Sequence, residues 1–279
     1  MVHDVIGEWS EAKLSIIQKY AEAYAKIVGS PRYRLQSVYI DGFAGSGQDV
    51  SRTTGRLVSG SPLIALGVQP RFTEYHFIDL EGDKVDSLRK LAGADPSIHV
   101  YRGDCSDILL GEILPTVRYA ERRRALCVLD PYGLHLRWEV VARAAELGTV
   151  ELFINFPLMD MNRNVLWRRA DLVSAERRAP MTAWWGDESW QSVVYPLQQG
   201  QLWDEPTPVK GEPQAVVKAY RTRLQEVAGF RHVPPPVPMR NSRNNTVYWL
   251  FFASQNATGA KIAGDILRRY RPSGGQLSG

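Results

Sequence analysis

Four aspartates stand at corresponding points of the chain. Asp41 and Asp79 close the short apolar runs Val38-Tyr-Ile and Tyr75-His-Phe-Ile, while Asp104 and Asp130 follow Ile98-His-Val-Tyr and Ala125-Leu-Cys-Val-Leu. Runs of this kind read as buried parallel strands. In an open α/β sheet, ligands bind outside the carboxyl ends of the strands, at the switch point. An aspartate at a strand end also serves as a cap or turn former, but four in phase line one sheet edge with strong hydrogen-bond acceptors. The first is followed at once by Gly42-Phe-Ala-Gly-Ser-Gly47, a loop whose glycines let backbone approach a ligand closely. Its spacing is neither G-x-G-x-x-G nor G-x-x-x-x-G-K-[ST], and Gln48 follows instead of a lysine. The fourth opens Asp130-Pro-Tyr-Gly133, with His135 just beyond.

The elements that must hold these groups alternate. Leu14, Ile17, Tyr20, Ala21, Tyr24 and Ile27 give Leu14–Val28 the spacing of an amphipathic helix. A polar stretch of 48–60 then delays the next helix, which Ser61-Pro62 opens as N-cap and first helical proline; the stretch is long enough for a flap over a ligand. Further helices are expected over 82–91, 106–119 (broken at Pro115) and 137–147, with a strand over 150–156. Strands alternating with helices mean a parallel, doubly wound sheet. After Pro157 the rhythm stops. Residues 158–208 carry five of the eight tryptophans and the pairs Arg168-Arg169 and Arg177-Arg178, and read as a mainly helical insertion. There, base stacking beside phosphate contacts stands against a small core of the insertion's own. A helix over 213–227, an apolar strand over 246–254 and a helix over 260–270 complete an α/β domain of 1–157 and 209–271, before a flexible tail at 272–279.

With 279 residues the chain can bury a substantial core. No run of about 18 apolar residues is present, so no membrane span is expected. The first ten residues lack a basic start and an apolar stretch, so no secretory signal is expected either. Cys105 and Cys127 make no disulfide framework, the histidines have no metal-ligand spacing, and two thiols fit a reducing cytoplasm. A net charge of +4 leans mildly towards anionic partners.

Asp41–Gly47 resemble D-x-F-x-G-x-G, the first motif of class I S-adenosylmethionine-dependent methyltransferases. The form with Phe43-Ala44-Gly45 recurs in enzymes that methylate amino groups of nucleic-acid bases. The resemblance implies a Rossmann-like sheet, mostly parallel with one antiparallel strand, and S-adenosylmethionine as cofactor. Asp41 and the backbone of Gly42, Phe43, Ala44, Gly45, Ser46 and Gly47 would hold its methionine part. Asp79, with Glu81 as runner-up, would take the ribose hydroxyls. Asp104 and Cys105 would meet the adenine, with Ser106 or Asp107 assisting. Asp130, Pro131 and Tyr132 resemble the [DNS]-P-P-[FYW] motif of amino methyltransferases, whose acid and carbonyl accept from the target NH₂. This chain departs from that motif, with tyrosine for the second proline and glycine for the aromatic residue. More widely, Lys13 with its helix, Gly60-Ser-Pro-Leu63, Leu129-Asp-Pro-Tyr-Gly-Leu134 and Ile154-Asn-Phe-Pro157 resemble the three-Cys-motif partner family, TcmP. That likeness implies a partner protein bearing three cysteines. Besides a nucleic-acid methyltransferase, an accessory protein acting with such a partner and a methyltransferase for a protein or small molecule remain alternatives.

Overall fold

The computed structural model describes residues 4–167, 173–198, 207–208 and 210–271. The tail at 272–279, Arg168-Arg169 and Trp203 lie outside them. The chain opens with β1 (Asp4–Ile6), α1 (Glu8–Val28), β2 (Gln36–Asp41), β3 (Gln48–Ser51), β4 (Leu57–Ser59) and α2 (Ser61–Gly67). Next come β5 (Glu74–Asp79), α3 (Gly82–Ala92), β6 (Ile98–Arg102) and α4 (Cys105–Ile108), which continues as a π turn and a 3-10 turn ending at Thr116. Then follow β7 (Arg123–Leu129), α5 (Trp138–Leu147), β8 (Val150–Phe156), α6 (Leu158–Asn164), α7 (Ala175–Trp185), α8 (Trp190–Val194), β9 (Leu197–Gln198) and β10 (Thr207–Pro208). The last elements are α9 (Pro213–Glu226), β11 (Val237–Arg240), β12 (Thr246–Ala253) and α10 (Ala257–Arg268).

Seven strands form the central sheet in the order β11-β12-β8-β7-β2-β5-β6. β12 runs antiparallel to both its neighbours, whereas β8, β7, β2, β5 and β6 are mutually parallel. From β2 the chain builds outward through β5 and β6, then returns to β2's other side for β7 and β8. The switch point therefore falls between β2 and β7. β8 alternates in the manner of any strand. Leu152, Ile154 and Phe156 join the core under α5, α7 and α9, while Phe153 packs with Tyr20 and Phe252 under α1 and α10.

Several sequence expectations change. The 48–60 flap is a hairpin, β3–β4, and β1 pairs with β3 in parallel to make a second, three-stranded sheet. Ser61 is not an N-cap: Gly60 holds that position and makes no side-chain bond to the helix. Arg123 and Arg124 belong to β7, and Arg122 donates to the carbonyls of Tyr33 and Arg34. Trp184, Trp185 and Trp190 are buried with Phe156, Tyr220 and Phe251, so none of the three can stack on a base. Trp167 stays partly buried, with the Arg177 guanidinium 4.8 Å from its ring.

At the end of the sheet away from the aspartates, Glu151 is buried against α1. It accepts from the hydroxyls of Tyr20 and Ser254, the latter at 3.0 Å. Burial raises its carboxyl above the ordinary range, against the pull of those two donors. Gly259 of α10 is required there, since a Cβ would stand 2.5 Å from the Glu151 carboxylate.

Candidate functional site

At the carboxyl edge a cleft of about 390 Å³ opens across the switch point, within the size range of small-ligand sites. Phe43, Ala44, Gly45, Asp79, Leu80 and Glu81 line one half; Lys13, Asp130, Pro131, Asn155 and Tyr248 line the other. Asp4 and Asp49 of the small sheet, with Trp9, close over it.

The glycine loop is tied down by the aspartates beside it. Asp79 accepts from the Gly45 N–H at 2.9 Å through one oxygen and from the Glu81 N–H at 2.9 Å through the other. Gly45 has φ +66° and open space where a Cβ would be, so it lies bare to the cleft; Gly47 has φ +85°. Gly42 is needed for packing instead, because a Cβ there would meet Cys105 Sγ at 2.6 Å. Asp41 is buried beneath the loop. One oxygen accepts from the Phe43 N–H at 3.3 Å and the other, Oδ2, has no partner. Burial pushes its carboxyl up to about 7, against the opposing pull of Ser61 and the Phe43 N–H. Orphaned buried acceptors of this kind are costly and call for a donor.

Other expected residues stand elsewhere. Asp104 is the exposed N-cap of α4, accepting from Asp107 N–H at 3.0 Å, and does not line the cleft. Cys105 is buried under Gly42, Ser46 donates to the Gln48 carbonyl at 2.7 Å, and neither lines the cleft. His135 does line it. Among the described residues no cluster of three or more His, Cys, Asp or Glu could hold a metal ion, and no helix is long and apolar enough to cross a membrane.

Asp130 is held through both its oxygens. Lys13, buried on α1, forms an ion pair with its Oδ2, and Asn155 Nδ2 donates to its Oδ1 at 2.7 Å. Burial alone would lower the Lys13 ammonium, but Asp130 and the hydroxyls of Tyr248 and Tyr132 outweigh it and hold Lys13 above its ordinary value. Tyr248 lies 5.7 Å below Lys13 and donates its hydroxyl to the Trp9 carbonyl at 3.1 Å. Tyr132 is 69% exposed, with Lys84 Nζ 5.6 Å from its ring.

The roof is held by charge. Lys84 of α3 bridges Asp4 at 2.9 Å and Glu81 at 2.8 Å. Asp4 sits opposite Asp49 in the β1–β3 register. Burial, then Asp4, raises the Asp49 carboxyl to about 6. Sequence reasoning gave Lys13, Asn155, Tyr248, Lys84, Leu80, Asp4 and Asp49 no site role. A signal existed for two of them. Lys13 sits on the apolar stripe of α1, and Asn155 interrupts an otherwise apolar strand.

No family model and no curated protein matches the chain. Among solved structures, protein LPL1258 from Legionella pneumophila is 11% identical, covers 95% of this chain and 94% of its own, and superposes with a TM-score of 0.54. A Thermobifida fusca protein described as a methyltransferase is 13% identical over 90% of this chain and 82% of its own, with a TM-score of 0.45. The likeness is one of fold. With its sheet order and single antiparallel strand, the chain has the Rossmann-like α/β fold of class I methyltransferases.

Proposed function

We propose that the protein is an S-adenosylmethionine-dependent methyltransferase that modifies an amino nitrogen of a nucleic-acid base. The observation that carries this reading is the cleft across the switch point, with Asp41 and Asp79 about the glycine loop on one side and Asp130-Pro131-Tyr132 on the other. The residues fit the cofactor. The bare backbone at Gly45, with the Asp41 carboxyl buried beneath the loop, suits the ammonium end of the methionine part. Asp79 retains lone pairs for the ribose hydroxyls. Leu80, 69% exposed in the cleft, offers an apolar face to the adenine. Asp104 and Cys105 do not line the cleft and are assigned no contact with the adenine.

When bound, the cofactor would supply an electrophilic methyl group on a sulfonium, to be taken by the amino nitrogen's lone pair with a neutral thioether as leaving group and the amine's proton released to solvent. The protein's part is alignment and exclusion of water. Asp130 is fixed from two sides, so the Pro131-Tyr132 turn presents its carbonyl and ring in one orientation. The small sheet covers the reacting groups. Exposed Tyr132 beside the turn and Arg52, 5.8 Å from the Trp9 ring at the roof, support a base and its phosphates as the acceptor.

Calorimetry with S-adenosylhomocysteine tests the cofactor. Binding is expected, weakened at least about tenfold by Asp79→Ala through loss of a charge-assisted hydrogen bond; no binding, or binding indifferent to that change, overturns the reading. Transfer of labelled methyl to fractionated RNA, DNA and protein then identifies the acceptor. The occupation of both Asp130 oxygens favours a second reading, an accessory protein on this scaffold. Cofactor binding with no transfer to any nucleic acid, together with stable pull-down of a cysteine-rich partner, would support it.

A further inference from the structure

Asp130 is the group that the motif resemblance assigns to the acceptor's NH₂, yet both its oxygens are already taken by Lys13 and Asn155. Beside it stands an acceptor that nothing occupies. Asn155 is 7% exposed and lines the cleft, and its Oδ1 is buried with no hydrogen-bond partner. Its orientation is dictated chemically. Asp130, paired with an ammonium, can only accept, so the amide must turn its NH₂ towards Asp130 and its carbonyl away. The same α1 lysine that fixes Asp130 thereby fixes which atom of Asn155 is free. Leaving a buried carbonyl unpaired is costly, and water or a ligand N–H is what would remove that cost.

Topology places this acceptor on the correct side. The cofactor half of the cleft lies on the β2–β5 side of the switch point, whereas Asn155 closes β8, beyond Asp130 at the end of β7. Tyr248 and the exposed Tyr132 line the same half. Building on the methyltransferase reading above, we infer that Asn155 Oδ1 accepts the amino N–H of the methyl acceptor and so selects an amino-bearing ring. An amide carbonyl is an uncharged acceptor, and Asp130's charge is balanced by Lys13.

The test is binding, not turnover. The full chain saturated with S-adenosylhomocysteine is titrated calorimetrically with short single-stranded oligoribonucleotides in matched pairs: adenosine against purine riboside, cytidine against its 4-deamino analogue, and guanosine against inosine. Wild type should bind the amino-bearing member of at least one pair about tenfold tighter, the worth of one buried hydrogen bond. Asn155→Ala and Asn155→Leu should erase that difference in protein that still binds S-adenosylhomocysteine. Wild type needs no folding control, so discrimination of no pair overturns the inference by itself. A preference that survives both substitutions in folded protein overturns it equally. Should wild type fail to bind S-adenosylhomocysteine, both this inference and the cofactor reading fall; binding without discrimination removes only the inference.

Discussion

Helix α1 faces two carboxyl groups at opposite ends of the sheet, one partly buried and one buried, and they are managed in opposite ways. Lys13 meets Asp130 in the open cleft, and Tyr20, seven residues on, meets Glu151 at the far end. Asp130 has a full counter-charge and an amide donor. Glu151 has only hydroxyl donors, from Tyr20 and Ser254, and its carboxyl is held above the ordinary range by burial. A charge that must stay a charge is given a cation, and one that can be given up is given neutral partners. The first arrangement serves a site, and the second serves packing.

The largest effect that would break this contrast comes from Lys13→Met. It leaves Asp130 unpaired in a largely buried place and should cost about 3 kcal/mol in a denaturant melt, with much of the loss recovered by adding Asp130→Asn. A double substitution no better than the single would mean that Lys13 acts through packing alone. Next in size is a proton effect at Asp41. Its carboxyl, near 7 when unliganded, must lose its proton as a cationic group settles above it. Affinity for S-adenosylhomocysteine should therefore rise with pH up to about 7 and level off beyond it. Below that point it should fall by at most about tenfold per pH unit, and Asp41→Asn should flatten the curve.

Smaller is the change at the far end. Glu151 has a raised folded value, so its contribution to stability is lost as pH climbs out of the ordinary carboxyl range. Glu151→Gln should remove that slope and leave stability near neutral pH within about 1 kcal/mol of wild type. A loss as large as that of Lys13→Met would erase the distinction between the ends. Smallest is the roof. Asp49, raised to about 6 beside Asp4, takes up a proton below that pH and eases the repulsion. The 52–56 hairpin tip should accordingly resist proteolysis better at pH 5 than at pH 8, and Asp49→Asn should remove the difference.

The strand-end aspartates were legible because each ends a run apolar enough to be recognised as a buried strand, and the order of those runs fixes the sheet. What escaped was polar and local. Gln48-Asp-Val-Ser51 and Leu57-Val-Ser59 are too short to display a period, and β1 is shorter still. β11 contains Pro238, which argues against a strand unless it lies at an edge, as it does. Lys13 and Asn155 each interrupt an apolar pattern once, and a single interruption does not say what it faces. In Val150-Glu-Leu-Phe-Ile-Asn-Phe156, however, Glu151 and Asn155 share a parity, so both polar residues of β8 point to the α1 face. Read together with Lys13 and Tyr20 on that helix, the sequence holds both pairs; only their partners across the sheet require three dimensions.

The placement of β1 bears on how the protein is handled. Asp4 is clamped by Lys84 and receives the Tyr132 hydroxyl at 3.4 Å, so the first described residue stands at the mouth of the cleft. An affinity handle added at the amino end is best cleaved away before any binding or transfer assay.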